Sequence, residues 1–327
     1  MGGSGGDYSP DVNYVRKSST SSGFSNTSKD EFTSKSGPDK SVLPVNFHGL
    51  EIYKDQDIVF VLIDGTGSMG DDAFIIRDKI VLLEGQLRIQ GYLKDPLVVV
   101  GIVGDANSDR YPIQISKPER GDALIAEIGK LYVEHGGGGQ SMESYELMAY
   151  YLLKHVKLDN PKSKPFLFWL GDEGVYPEIS VEHIKDHINE TVEKDIDTKE
   201  TFTKLCKKYN VFRLHREYND KSENKVIMKQ WKDLIGSEKV QQLIKPKEVI
   251  DVILGVVATV TKSRSIDQYL DDMRQRGQTP ERIEDVEKML IGFEKGLVPI
   301  ANTSQNISKL PIADIDTKKR NSGSKKL

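Results

Sequence analysis

Four side chains carry the chemistry this sequence suggests: Asp64, Thr66, Ser68 and Asp172. The first three alternate in "DIVFVLIDGTGSMGDD", residues 57–72, where an unbroken apolar run stops at a carboxylate and passes into Gly65, Thr66, Gly67 and Ser68. Asp172 closes a second apolar run, "FLFWLGDEG". A third segment, "HGGGGQSMES" at 135–144, adds Gln140 and Ser141 after four glycines. Carboxylate, hydroxyl and amide oxygens, with no sulfur or imidazole among them, suit Mg²⁺, Mn²⁺ or Ca²⁺ rather than zinc. Glycines at 65 and 67 let the backbone turn without a Cβ clash, so alternate side chains can point to one side. A cation held by few carboxylates keeps positive charge and an open position for an acidic group from elsewhere.

Such residues need elements that bring them together. Residues 57–63, 96–103 and 164–171 are continuous apolar runs, as expected for strands buried on both faces. "YPIQI" at 111–115 alternates and follows a turn-rich loop, which predicts an edge strand of a hairpin. Strands are also expected at 210–217 and 240–244. Helical spacing covers about 72–90, 119–133, 142–156, 180–193, 197–208, 223–235 and 247–262. This alternation predicts an α/β fold: a Rossmann-like, doubly wound, mostly parallel six-stranded sheet with one antiparallel edge strand and helices on both faces. In such a sheet the functional rim lies beyond the carboxyl ends of the strands.

Sixteen of the first forty residues are Gly or Ser, so residues 1–42 read as a disordered segment. Residues 43–262 read as one domain, opened by a lead-in at 43–55 that packs on its edge. Residues 263–300 read as a short helical extension around a Gly-Gln-Thr-Pro turn. Residues 301–327, with six Lys or Arg against two Asp, read as a flexible basic tail. A net charge of −4 gives no global attraction to nucleic acid. No apolar run approaches the roughly 18 residues of a membrane span, which predicts a cytoplasmic protein. The lone Cys206 excludes an internal disulfide framework and reads as a packing residue.

At three places the sequence resembles one family. "DGTGS" resembles the Asp-x-Ser-x-Ser signature of von Willebrand factor type A (vWA) domains, with Thr66 in place of the first serine. "GGGGQSMESYELMAYYL" resembles the family's second loop and following helix, and "LFWLGDE" is similar to its third segment. The resemblance covers about residues 55–262 and is nearest to intracellular bacterial-type vWA proteins. It implies a metal-ion-dependent adhesion site (MIDAS) in which Asp64, Thr66, Ser68 and Asp172 hold Mg²⁺ or Mn²⁺. The second-loop ligand of the family, usually Thr or Asp, falls on Gln140 or Ser141. It further implies a non-enzymatic interaction module whose metal recruits an Asp or Glu of a partner protein in a multiprotein assembly. AAA ATPases of the MoxR kind are partners of that type; nucleic acid and membrane are not.

Other readings compete. Asp64 alone would serve as a helix cap, although Asp71 and Asp72 already offer caps, and Thr66 and Ser68 would serve as turn hydroxyls. The glycine loop would cradle a phosphate, but it lacks the Lys-Ser/Thr ending of a P-loop. "VLIDGTGS" is also similar to the haloacid-dehalogenase phosphatases, but Thr66 stands where their second Asp would act as general acid. A metal-free vWA scaffold is the remaining alternative. Asp105 and Asp109 fall on the same rim or in a turn, and Glu173 reads either as a partner of a metal-bound water or as a loop acid. His183 and His187 lack the Glu of a zinc-protease motif. Phe166, Trp169 and Trp231 are expected in the core.

Overall fold

A computed structural model describes residues 36–46, 49–52, 56–159 and 164–293. The expected N-terminal segment up to 35 and the tail 301–327 lie outside the described residues, as does the end of the 263–300 extension. Six strands form the main sheet: β1 (Asp57–Asp64), β2 (Pro96–Val103), β3 (Ile113–Ile115), β4 (Phe166–Gly171), β5 (Asn210–His215) and β6 (Val240–Gln242). Their order is β6-β5-β4-β1-β2-β3. Only β3 runs antiparallel, against β2.

The sequence order reverses between β1 and β4. From β1 the chain winds outward to β2 and β3; from β4 it winds the other way. The crevice between two such strands is where loops part and a ligand fits. Ile63 pairs with Leu170, so Asp64 and Asp172 leave neighbouring strand ends side by side.

Strand side chains alternate between two cores. Val59, Val61 and Ile63 of β1 face one, with Phe168 and Leu170 of β4. Ile58, Phe60 and Leu62 face the other, with Leu167 and Trp169. The first core is covered by α1 (Asp72–Ile80), α2 (Leu83–Ile89), α3 (Gly121–Ile128) and the apolar α8 (Val249–Val260). The second is covered by α4 (Tyr145–Lys154), α5 (Val181–Ile188), α6 (Thr198–Lys208) and α7 (Lys221–Ile235). Phe166, Trp169 and Trp231 are buried there or in the first core, and Cys206 packs at the edge of the second.

Several elements depart from their expected bounds. The helix expected over 72–90 is two, because the chain tightens at Val81–Leu82, where the Leu82 amide reaches back only to Lys79. The 142–156 helix starts at Tyr145, because Met142–Glu143 is drawn into a parallel pair with Gly174–Val175. Asn189, in the left-handed region at φ 61°, ends α5 early. Leu50–Ile52 of the lead-in pairs with Val156–Leu158. The two helices after residue 263, α9 (Ile266–Gln275) and α10 (Pro280–Phe293), place Tyr269, Met273, Leu290 and Phe293 in the first core. Among the described residues no helix is long and apolar enough to cross a membrane.

Candidate functional site

The turn after β1 is tied by its own side chains. Asp64 Oδ1 accepts from the Thr66 amide at 2.9 Å and from the Thr66 hydroxyl at 2.5 Å. Thr66 Oγ1 lies 3.2 Å from Ser68 Oγ, which donates to Asp172 Oδ1 at 2.9 Å. Four residues named from the sequence therefore form one hydrogen-bonded chain across the β1/β4 crevice. Asp64, Thr66 and Asp172 are fully or almost fully buried.

The glycine loop docks onto this turn. The Gly67 amide donates to the Gly136 carbonyl, and the His135 amide to the Gly65 carbonyl. Asp109 pins it from the other side, its Oδ1 accepting from the Gly137 amide at 2.7 Å and its Oδ2 from the Asp105 amide at 2.8 Å. A Cβ on Gly136 would fall on the Asp109 carboxylate, so the close approach requires glycine. Asp105 and Asp109 thus reach the rim, where Asp109 staples one loop to another.

Gln140 and Ser141 stand apart from that chain. Gln140 Oε1 lies 3.4 Å from the Tyr176 hydroxyl, and Ser141 Oγ lies 3.2 Å from the Tyr218 hydroxyl. The second-loop residue that faces the turn is Glu143. A Cβ built on Gly137 would meet Glu143 Oε1 at 3.3 Å and Thr66 Cβ at 3.5 Å, so the two flank one small space. Glu143 has the carboxyl of Glu173 as its neighbour. Sequence reasoning missed Glu143 by absorbing it into a helix.

Two more residues stand behind the site. The Tyr145 hydroxyl donates to Asp64 Oδ2 at 2.5 Å, and Arg213 Nη2 donates to the same hydroxyl at 3.3 Å. The sequence signal for Arg213 was a charge at an inward position of the apolar strand "NVFRLH".

Crowded, buried carboxylates resist ionisation. Burial raises Asp64, opposed by hydrogen bonds from Thr66 and Tyr145 and by the charge of Arg213. Asp172 is pushed up to about 7 by burial and then by Asp64. Glu143 is pushed up to about 12 by burial, with Asp64 and Glu173 adding to it. Asp172 Oδ2 and Glu143 Oε2 are buried and have no hydrogen-bond partner among the described residues. Such oxygens favour a proton or a cation beside them.

A hard divalent cation fits this donor set. Among the described residues no three Asp, Glu, His or Cys side chains converge to hold a metal ion. A cation here would lean on the Thr66 and Ser68 hydroxyls together with Asp64 and Asp172, an all-oxygen shell suited to Mg²⁺ or Mn²⁺.

The fold and site define a doubly wound α/β domain with an oxygen-lined rim at its switch point. No protein-family model and no curated protein matches the chain. Among solved structures it is similar to the pilus adhesin SpaC from Lactobacillus rhamnosus GG, with 13% identity over 65% of this chain and 31% of that one, at a TM-score of 0.45. It is similar to a von Willebrand factor type A protein from Catenulispora acidiphila, with 14% identity over 63% and 42% and a TM-score of 0.36. It is also similar to the SpRpn10 VWA domain, with 12% identity over 60% and 94% and a TM-score of 0.36. The chain thus spans less than half the length of the first two. At these identities the fold assignment rests on the strand order itself.

Proposed function

We propose that this chain is a vWA-type protein-interaction module that holds Mg²⁺ or Mn²⁺ at a MIDAS-type rim. Thr66 and Ser68 supply hydroxyl oxygens, and Asp64 and Asp172 supply carboxylates directly or through water. The bound cation supplies an electrophilic position for an Asp or Glu of a partner protein. The assembly is a cytoplasmic multiprotein one, of the kind built around AAA ATPases, and the module binds rather than catalyses. One observation carries this reading: residues 104 apart in sequence, Ser68 and Asp172, are joined at 2.9 Å while the second oxygen of Asp172 is buried with no hydrogen-bond partner among the described residues.

A metal-free scaffold is the second reading, favoured by the engagement of Gln140 and Ser141 with tyrosines outside the hydrogen-bonded chain. Isothermal titration with Mg²⁺ and Mn²⁺ separates the two. The cation reading expects saturable binding to the wild type, weakened more than about 100-fold in Asp64→Ala and in Asp172→Asn, a larger loss than outer partners give. Negligible heat from all three proteins establishes the metal-free scaffold.

A further inference from the structure

Arg213 occupies a position that the alternation of β5 assigns to an apolar side chain. It pairs in register with Trp169, on the sheet face where Val211 and Trp169 pack. It is fully buried. A buried guanidinium is costly unless it is paired, and a well-packed apolar residue there would stabilise the fold as well or better. Its presence there therefore asks for a role other than packing.

Its contacts supply one. The guanidinium carbon lies against two aromatic rings set nearly at right angles, 4.7 Å from the centroid of Tyr145 and 4.3 Å from that of Trp231. Nη2 donates to the Tyr145 hydroxyl at 3.3 Å and to the Glu173 carbonyl at 3.2 Å, while Nε and Nη1 have no hydrogen-bond partner among the described residues. Tyr145 passes the first contact to Asp64 Oδ2. The Glu173 carbonyl, also held by Trp231 Nε1 at 2.9 Å, fixes the Glu173–Gly174 peptide, one residue beyond Asp172. One nitrogen thus reaches both carboxylate-bearing loops and touches neither carboxylate.

We propose that Arg213 is a positioning residue that locks the Asp64 and Asp172 loops in register, through the Tyr145 hydroxyl on one side and the Glu173 carbonyl on the other. The rim is then assembled before a cation arrives. The effect on metal affinity rests on the divalent-cation reading above; the coupling of the two loops does not. A guanidinium offers donors in a planar fork, and a lysine at 213 would keep only the charge.

The test uses the full chain and four variants: R213M, R213K, Y145F and the double R213M/Y145F. In metal-free protein, R213M speeds amide hydrogen exchange in both 64–68 and 171–174, and Y145F speeds it in 64–68. Titrated with Mn²⁺, R213M, R213K and Y145F each bind 10–100-fold more weakly, the range for groups that orient metal ligands. The double variant loses little beyond the worse single one. Unchanged exchange in either loop of R213M overturns the proposal. So does tighter Mn²⁺ binding by R213M, or wild-type affinity in R213K, since either outcome makes Arg213 a counter-charge and nothing more. If R213M fails to fold, Y145F decides, and wild-type exchange at 64–68 in that variant overturns the proposal. A wild type that binds no Mn²⁺ sinks the cation reading and leaves the exchange measurements to decide the coupling.

Discussion

Ser68 Oγ and Asp172 Oδ1 meet at 2.9 Å across 104 residues of chain, and this bond closes the crevice between β1 and β4. It also fixes which oxygen of Asp172 is left free. Ser68→Ala removes both the bond and a proposed ligand. The expected cost to stability is about 1 kcal/mol, the usual net value of one hydrogen bond. Mn²⁺ affinity should fall at least tenfold in the same protein. Urea unfolding and calorimetric titration measure the two, and an affinity equal to wild type would remove Ser68 from the shell.

Gly171 makes the approach of Tyr145 to Asp64 sterically feasible. A Cβ at 171 would overlap the Tyr145 hydroxyl and the Asp64 Cβ. Gly171→Ala should therefore break the Tyr145–Asp64 bond and destabilise the domain by about 1–3 kcal/mol, as overpacked cores do. Near-ultraviolet absorbance or fluorescence of the buried aromatic cluster, read beside urea unfolding, reports it. A variant with native spectra and stability would mean that the turn yields easily.

The sequence exposes Asp64, Thr66, Ser68 and Asp172 because oxygen-bearing residues at the ends of buried strands contradict their apolar surroundings. Parallel topology then sends those ends to one rim. Glu143, Tyr145 and Arg213 are harder to read because their roles depend on partners far along the chain. Glu143 fits a helical pattern equally well, and only its pairing with Gly174–Val175 takes it out of the helix. Tyr145 is an ordinary helix residue until Gly171 is seen to admit its hydroxyl. The docking of α9 and α10 is hidden for a similar reason: amphipathic spacing gives a helix an apolar face without naming what covers it.

Glu248 gives stability a pH dependence outside the rim. Its carboxyl is almost fully buried, with Lys245 3.8 Å away and no hydrogen-bond partner for Oε2 among the described residues. Burial, then the charge of Asp285, pushes it up to about 7, against the opposing pull of Lys245 and Arg282. The unfolded chain releases this proton near 4.5. Between those values the folded state holds the extra proton, so the stabilisation is complete below 4.5 and is lost as pH rises through 7. Asp172 titrates over the same range in metal-free protein. Melting with a chelator from pH 5 to 8 should therefore show a decline in the wild type and a shallower one in Glu248→Gln. Parallel declines would assign the whole effect to other groups.

Asp251 ties the C-terminal helices to α8. From α8 its carboxylate takes Arg282 Nε at 2.6 Å and Arg276 Nη2 at 3.4 Å, while the Tyr269 hydroxyl donates to its backbone carbonyl at 2.5 Å. Removing one partner of a buried ion pair leaves the other charge uncompensated, which costs about 3–5 kcal/mol. Asp251→Ala strands two guanidinium groups at once and should reach that range. Phe293→Ala, at the far end of α10 where the ring stands edge-on to Phe212 at 5.6 Å, should cost a similar amount by leaving a cavity. If α9 and α10 are part of the core, both variants unfold in urea as one cooperative transition at lower midpoint. A loss below about 1 kcal/mol, or a separate early transition, would make these helices an appendage, since a peripheral element opens without the rest.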